Sequence, residues 1–228
     1  MSVVLLVRHG QASFGSGDYD RLSPAGEDQS RLLGRALAAQ GVTPARVVAG
    51  TLRRQHDTAK LAADAAGWSA SVKSDPAWNE FSLDDVVRLA PGHPATTDSA
   101  AFQVALDAGL REWASGTPAP AAGTPDAAPR ETHAMFTARV NGALRRLVAE
   151  TDRRGTAIVS TSAGVISAIA ASLLSGGCLA EGGAGQWIRL NRVCVNAAVT
   201  KIVIGRQGTS LVSFNEHGHL APGLVTYR

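Results

Sequence analysis

Cysteine is almost absent: Cys178 and Cys194 are the only two, and no CxxC spacing occurs. A disulfide-stapled secreted scaffold is excluded on that ground, and two reduced thiols in a cytoplasmic protein are the plain expectation. An excess of one charge is missing too. Lys and Arg number 22 against 19 Asp and Glu, for a formal charge of +3. With no run of five or more basic residues, the chain offers nucleic acid no electrostatic footprint. No basic region precedes the apolar run from Val3 to Val7, and that run is too short for a signal peptide. Long membrane-spanning runs are lacking as well. The one apolar stretch of comparable length, Ala157 to Leu174, carries Ser160, Thr161, Ser162, Ser167 and Ser172 and is interrupted by Gly164. A buried strand running into a buried helix explains it better than a membrane span. The expected partners therefore exclude nucleic acid and membrane, and no internal repeat divides the chain.

What is present is an ordinary globular balance, 45% hydrophobic and 18% charged over 228 residues. That length supports one α/β domain with a buried core. Val3 to Val7 is β-branched and aliphatic, as a strand buried on both faces requires. Ser23 offers an N-cap and Pro24 a first helical position, followed by Leu32, Leu33, Ala36 and Leu37 at helical spacing and a stop at Gly41. Arg46 to Ala49 reads as a strand and Leu52 to Ala66 as a helix ending near Gly67. Leu83 to Leu89 and Ala100 to Trp113 read as short helices around Pro91-Gly92-His93-Pro94. Ser115 to Pro129, rich in Pro, Ala, Gly and Thr, reads as a flexible loop. Thr132 to Asp152 is expected to be helical, Thr156 to Ser160 a buried strand, and Gly164 to Leu174 a helix. Ala198 to Ile204 and Ser210 to Phe214 flank a hairpin signal at Gly205-Arg206-Gln207-Gly208. The rhythm is that of a doubly wound three-layer α/β/α domain over residues 1–228, with a mostly parallel central sheet. Residues 77–130 are expected to form a mostly helical insertion over the sheet's edge.

Ligands of open α/β sheets sit beyond the carboxyl ends of the strands. Three loops predicted for that rim carry Arg8-His9-Gly10, Thr51-Leu52-Arg53-Arg54 and Thr161-Ser162-Ala163-Gly164. Guanidinium groups match phosphate oxygens with a fixed fork of donors, and Gly10 allows close backbone approach to a ligand.

Here the residues resemble a family. Leu6-Val7-Arg8-His9-Gly10-Gln11-Ala12 is similar to the RHG signature of the histidine phosphatase superfamily, which includes phosphoglycerate mutases. Leu52-x-Arg54 followed by Thr58-Ala59 resembles its second motif. Ser23-Pro24-x-Gly26 resembles the start of its first helix, and Asn215-x-x-x-His219-Leu220 its C-terminal segment. The resemblance implies a metal-independent phosphomonoesterase with no cofactor, acting on a small phosphorylated substrate or inorganic phosphate, with a homodimer left open. It makes His9 the nucleophile and Glu80, in Trp78-Asn79-Glu80-Phe81, the general acid. Arg8, Arg54, Gln11 and Ser162 become the phosphate-binding residues.

Two departures qualify this. Where the family has a strand followed by His-Gly-Gly-Val-Ile, this chain has Ser162-Ala163-Gly164-Val165-Ile166. Loss of a charged donor to a transition state costs on the order of 3 kcal/mol, roughly a hundredfold in rate. The alternative is thus a weak or inactive member that binds a phosphorylated ligand or a protein partner. His56, His217 and His219 are the candidates to compensate. The second departure is Gly15, which stands where the mutase branch has Asn, so a phosphatase is favoured over a mutase.

Plainer roles compete at each position. Arg53 reads as a solvated helix residue, Ser162 equally as a helix N-cap, and Glu80 as a surface carboxylate in the alternative. His217-Gly218-His219 has the look of a metal pair, but no carboxylate cluster matches it, so no metal site is expected. A serine-hydrolase elbow at Ser162 is incomplete, because position 160 is Ser and not Gly.

Overall fold

The computed structural model describes residues 1–13, 20–90, 99–116, 130–176 and 183–227. Its centre is β1 (Ser2–Arg8), whose aliphatic residues are buried alternately on two faces. Val4 and Leu6 pack with Phe136, Val140, Ile166 and Ile169, whereas Leu5 and Val7 pack with Leu33, Leu37 and Ala62. Period-two alternation with both faces covered is what a central strand of a three-layer domain demands.

The other strands are β2 (Arg46–Ala49), β3 (Val72–Ser74), β4 (Thr156–Thr161), β5 (Val199–Gly205) and β6 (Gly208–Glu216). They form one sheet in the order β3-β2-β4-β1-β5-β6. β3, β2, β4 and β1 are parallel; β5 runs antiparallel to β1 and to β6. The mostly parallel sheet expected from the sequence is therefore present. Its helices are α1 (Pro24–Ala39), α2 (Arg53–Ala66), α3 (Leu83–Val87), α4 (Ser99–Ala114), α5 (His133–Glu150), α6 (Ala163–Leu174) and α7 (Gly183–Val193). α1 and α2 cover one face, and α5 and α6 the other. Because β4 inserts between β1 and β2, the carboxyl ends of three adjacent parallel strands lie side by side at one edge, the edge at which such sheets bind ligands.

Local signals explain most boundaries. The Ser23 hydroxyl accepts from the Gly26 N–H at 3.1 Å, with Pro24 at the first helical position. Gly67 ends α2 in the left-handed conformation, φ 69°. The hairpin turn closes on Gly208, φ 122°. Two elements go beyond the sequence reading. β3 is three residues long, with Lys73 and Ser74 exposed at the edge, and so carries no apolar signature. α7 is held by the buried Trp187 and Ile188, tertiary burial offsetting poor local propensity at its glycine-containing start.

α3 and α4 pack on each other, and α4 also packs on α5 and α7. Gly15, Gly92-His93-Pro94, Cys178 and all of the Ser115–Pro129 segment after Gly116 lie outside the described residues. Among the described residues, no helix is long and apolar enough to cross a membrane.

α1 and α2 approach closely at Gly34, where a Cβ would sit 2.1 Å from the Ala62 carbonyl oxygen. Helix propensity alone favours Gly→Ala by about 1 kcal/mol, but overpacking of this kind costs about 1–3 kcal/mol. Gly34→Ala should therefore lower the urea midpoint. Gly142→Ala on α5, whose Cβ would meet only the flexible ends of the Arg146 and Arg145 side chains, at 3.6 and 3.8 Å, should raise it. Equal shifts in the two variants would contradict the close α1–α2 contact.

Candidate active site

Arg8 ends β1 and His9 follows it, paired through its N–H to the Thr161 carbonyl on β4 at 2.8 Å. The loop is anchored on three sides. The Gly10 N–H donates to Thr58 Oγ1 at 2.9 Å, while the Thr58 hydroxyl donates to the Arg54 carbonyl at 2.7 Å. Asn196 Nδ2 donates to the His9 carbonyl at 3.1 Å. The sequence suggested that Gly10 makes room for a ligand; a Cβ there would lie 2.3 Å from the Gly26 carbonyl oxygen, so the space this glycine leaves is taken by the start of α1.

The His9 ring is buried, 5% exposed, and its hydrogen bonds fix its tautomer. Nδ1 lies 2.7 Å from the Gly10 carbonyl, which can only accept, so Nδ1 carries the proton. Nε2 keeps its lone pair and accepts from Arg54 Nε at 3.2 Å. Burial, then the charges of Arg54 and Arg8, hold the imidazole pKa well below its ordinary value, against the Gly10 hydrogen bond. A neutral imidazole with Nε2 unprotonated and cations beside it is equipped to attack an anionic electrophile.

Arg54 is the second residue of α2, its side chain is buried, and its Nη1 pairs with Asp20 Oδ1 at 2.6 Å. Asp20 Oδ2 also accepts from the Arg53 N–H at 2.8 Å. Arg53 itself faces outward, half exposed, near Asp57. Arg8 is buried and donates through Nη1 to the Cys194 carbonyl. The Cys194 thiol is pushed up to about 11, chiefly by burial, and is inert as a nucleophile at neutral pH.

Glu80 reaches the rim from the other side. Its Oε2 accepts from the Gly164 N–H at 3.0 Å and its Oε1 from the Phe81 N–H at 3.2 Å. A Cβ at Gly164 would stand 2.3 Å from Oε1, so only glycine leaves room for this carboxyl. The backbone just before Glu80 is held by side chains from three elements. Arg139 Nη1 donates to the carbonyls of Ala77 and Asn79 at 3.0 and 2.9 Å. Thr161 Oγ1 and Gln55 Nε2 donate to the Trp78 carbonyl at 2.6 and 3.4 Å. Behind it, Phe81 meets Trp113 and Phe136 with ring centroids 5.1 and 5.6 Å apart, and Trp187 donates to the Gly164 carbonyl at 3.0 Å. Burial against this aromatic wall raises the Glu80 pKa above the ordinary carboxylate value, opposed by the Gly164 N–H, Arg54, the Phe81 N–H and Arg8.

Ser162 occupies the N-cap position of α6, yet its hydroxyl makes no capping bond. Glu80 satisfies the second N–H of that helix instead, and Ser162 Oγ accepts from Gln55 Nε2 at 2.8 Å. Gln11 is turned toward the start of α1, its Oε1 accepting from the Ser23 hydroxyl at 2.9 Å. None of His56, His217 and His219 is hydrogen-bonded to His9, Glu80 or Ser162; His217 and His219 line a separate cleft of about 810 Å³ with Val3, Leu5 and Val212. Among the described residues, no group of three or more His, Cys, Asp or Glu could hold a metal ion. Arg8, His9, Arg54, Glu80 and Ser162 thus converge on one rim. Asp20, Gln55 and Asn196 were not singled out from the sequence. The helical interval from Arg54 to Thr58 was the only signal for a supporting residue.

The family model described as histidine phosphatase superfamily (branch 1) matches residues 4–217. No curated protein matches. Among solved structures, the chain is similar to the mycobacterial glucosyl-3-phosphoglycerate phosphatase, at 22% identity and a TM-score of 0.64, over 95% of this chain and 99% of that one. It is also similar to a phosphoserine phosphatase from Entamoeba histolytica, at 17% identity and 0.65, over 97% and 100%. A third likeness is to YhfR of Bacillus stearothermophilus, at 17% identity and 0.69, over 96% and 99%.

With its pKa depressed, His9 should remain in the neutral Nδ1–H form at pH 6 in long-range ¹⁵N–¹H spectra. A charged ring at pH 6.5 would contradict the burial described. The sign of the linked stability follows: below about pH 6.5, the ordinary histidine value, the unfolded chain binds the extra proton, so the His9 contribution to stability falls as pH falls.

Proposed function

The chain belongs to the histidine phosphatase superfamily, branch 1, and on that footing we propose that it is a phosphomonoester phosphatase working through a phosphohistidine on His9. The observation that carries this is the Arg54–His9 contact, a cation donating to the lone pair of an imidazole whose proton is fixed on the other nitrogen. An incoming phosphoryl group takes the place of that lone-pair contact, and Arg54 and Arg8 turn to its non-bridging oxygens. The Nε2 lone pair forms the N–P bond while the P–O bond to the leaving group breaks. The Glu80 carboxyl, whose pKa burial raises, gives its proton to the departing oxygen, releasing the alcohol. Water then attacks the phosphohistidine, Glu80 takes back a proton, the N–P electrons return to Nε2, and inorganic phosphate leaves. The charge is supplied by guanidinium groups, so the reaction as drawn needs no metal. The phosphatases among its structural likenesses agree with this class of reaction without naming a substrate. A buried free thiol at Cys194 suits a reducing cytoplasmic setting.

Ser162 favours a second reading, a protein that binds a phosphorylated ligand or partner without turnover. A hydroxyl brings no positive charge to the place where the family has histidine. The two readings part on the phosphoenzyme. Brief mixing with a phosphomonoester should give an acid-labile, base-stable phosphoprotein that is absent from His9→Ala. Vanadate binding without any phosphoenzyme would favour the binding protein instead.

The pH dependence has a defined shape. His9 must be neutral and Glu80 protonated, so kcat/KM should rise through a limb below pH 6.5 and fall through one above the ordinary carboxylate range. Glu80→Gln should abolish the falling limb and slow alkyl phosphates by about 10²–10⁴-fold. Aryl phosphates, whose leaving groups need no proton, should be slowed far less. Equal losses on both would remove Glu80 from the acid role.

A further inference from the structure

We propose that Gln55 is the positioning residue that turns the Ser162 hydroxyl into a hydrogen-bond donor for the phosphoryl group, the pair standing where the family has its second histidine. The inference rests on the phosphatase site described above, and it adds a residue of α2 to that site.

Gln55 is fully buried, next in sequence to Arg54. Its orientation is set by two acceptors on one side: Nε2 lies 2.8 Å from Ser162 Oγ and 3.4 Å from the Trp78 carbonyl oxygen. A carbonyl can only accept, so the amide nitrogen must face both. The direction of the Ser162 bond follows, with the amide donating and the hydroxyl oxygen accepting. Among the described residues the Ser162 O–H donates to no acceptor. The usual acceptor role of an N-cap hydroxyl is also unused, because Glu80 takes the Gly164 N–H of α6. Thr161 pairs with Arg8 in the β4–β1 register, so Ser162 is the next residue on the rim beside His9. The hydroxyl proton is thereby left for a ligand at that rim, where an acceptor-rich phosphoryl group is the fitting partner.

A second observation sets Gln55 apart from an ordinary packing residue. Its Oε1 is buried without a hydrogen-bond partner, pressed against Gly50, where a Cβ would come within 1.9 Å of it. Buried unsatisfied amide oxygens are rare, and a methionine of similar shape would avoid one. The site keeps a polar group whose useful end is the one on Ser162. The arrangement also implies that Gln55 fills space a larger side chain at 162 would need, so Ser162→His alone should gain little and the double change with Gln55→Ala more.

The test is a double-mutant cycle with two readouts, kcat on a phosphomonoester panel and affinity for orthovanadate, a stand-in for the five-coordinate phosphorus. Ser162→Ala should lower kcat by roughly a hundredfold, the loss typical of one transition-state donor. Gln55→Met should lower it about tenfold with KM nearly unchanged, and the double variant should match Ser162→Ala to within about threefold. Gln55→Glu supplies a readout that packing would not move. A protonated carboxyl can still donate to Ser162 and an ionised one cannot, so the ratio of its kcat to wild type should rise as pH falls. Losses that add in the cycle, or a Gln55→Met enzyme equal to wild type, overturn the inference. If the wild type turns over nothing but vanadate affinity shows the same coupling, the phosphatase reading fails and this one stands. No vanadate binding by wild type overturns both.

Discussion

A single hydrogen bond, Arg54 Nε to His9 Nε2, ties together the parts of this molecule that matter for chemistry. It requires the imidazole to be neutral, and the imidazole is neutral because it is buried beside two cations. It also requires the lone pair to lie on Nε2, and the Gly10 carbonyl ensures that by holding the proton on Nδ1. Gly10 is in turn fixed by Thr58, four residues along α2 from Arg54, so one helix positions both the cation and the loop that orients the base. The sheet order completes the arrangement. With β4 between β1 and β2, His9, Ser162 and the start of α2 emerge from three neighbouring strands at one edge.

The same rim holds a second group tuned the opposite way. Aromatic burial raises the Glu80 carboxyl toward its neutral form, while burial and cations keep His9 neutral by lowering it. Shifts in these two directions favour the uncharged form of both groups, the forms that nucleophilic attack and leaving-group protonation call for. Glu80 is held there by backbone on both sides: Arg139 on the carbonyls before it, the Gly164 N–H beyond it, and an absent Cβ at Gly164. Asp20 places a carboxylate against Arg54, so a phosphate entering the rim competes with an existing ion pair.

Much of this was legible in the sequence because the physics involved is local. A continuous aliphatic run makes β1, Ser23-Pro24 opens α1, and Gly67 closes α2. Arg8 and Arg54 were legible by chemistry and Glu80 only by resemblance, since nothing around residue 80 distinguishes a buried carboxylate from a solvated one. What escaped is what tertiary contact alone decides. β3 has no apolar run, α7 depends on Trp187 being buried by other elements, and Asp20 acquires meaning only when Arg54 folds over it. The role of Gly10 was misassigned for the same reason, as its close neighbour is Gly26 of α1.

Ser162 shows how two functions that compete in sequence can be separated in space. A serine opening a helix is ordinarily consumed by capping, its oxygen turned back to the N–H groups of the first turn. Here the carboxyl of residue 80 takes that task, accepting from the Gly164 N–H, and the same bond also fixes Glu80. Gln55 then occupies one lone pair of the oxygen from the other side, leaving the hydroxyl's one proton unspent. The replacement of a charged side chain by a serine is thus not a simple deletion. It comes with a buried amide whose far end gains nothing, and with a helix capped by a group from elsewhere in the chain. An unneeded serine could have kept its own cap and packed against an apolar residue at 55, at lower free-energy cost in both places. That this fold does neither supports the proposal that the Ser162 proton is kept for a phosphoryl group bound at His9.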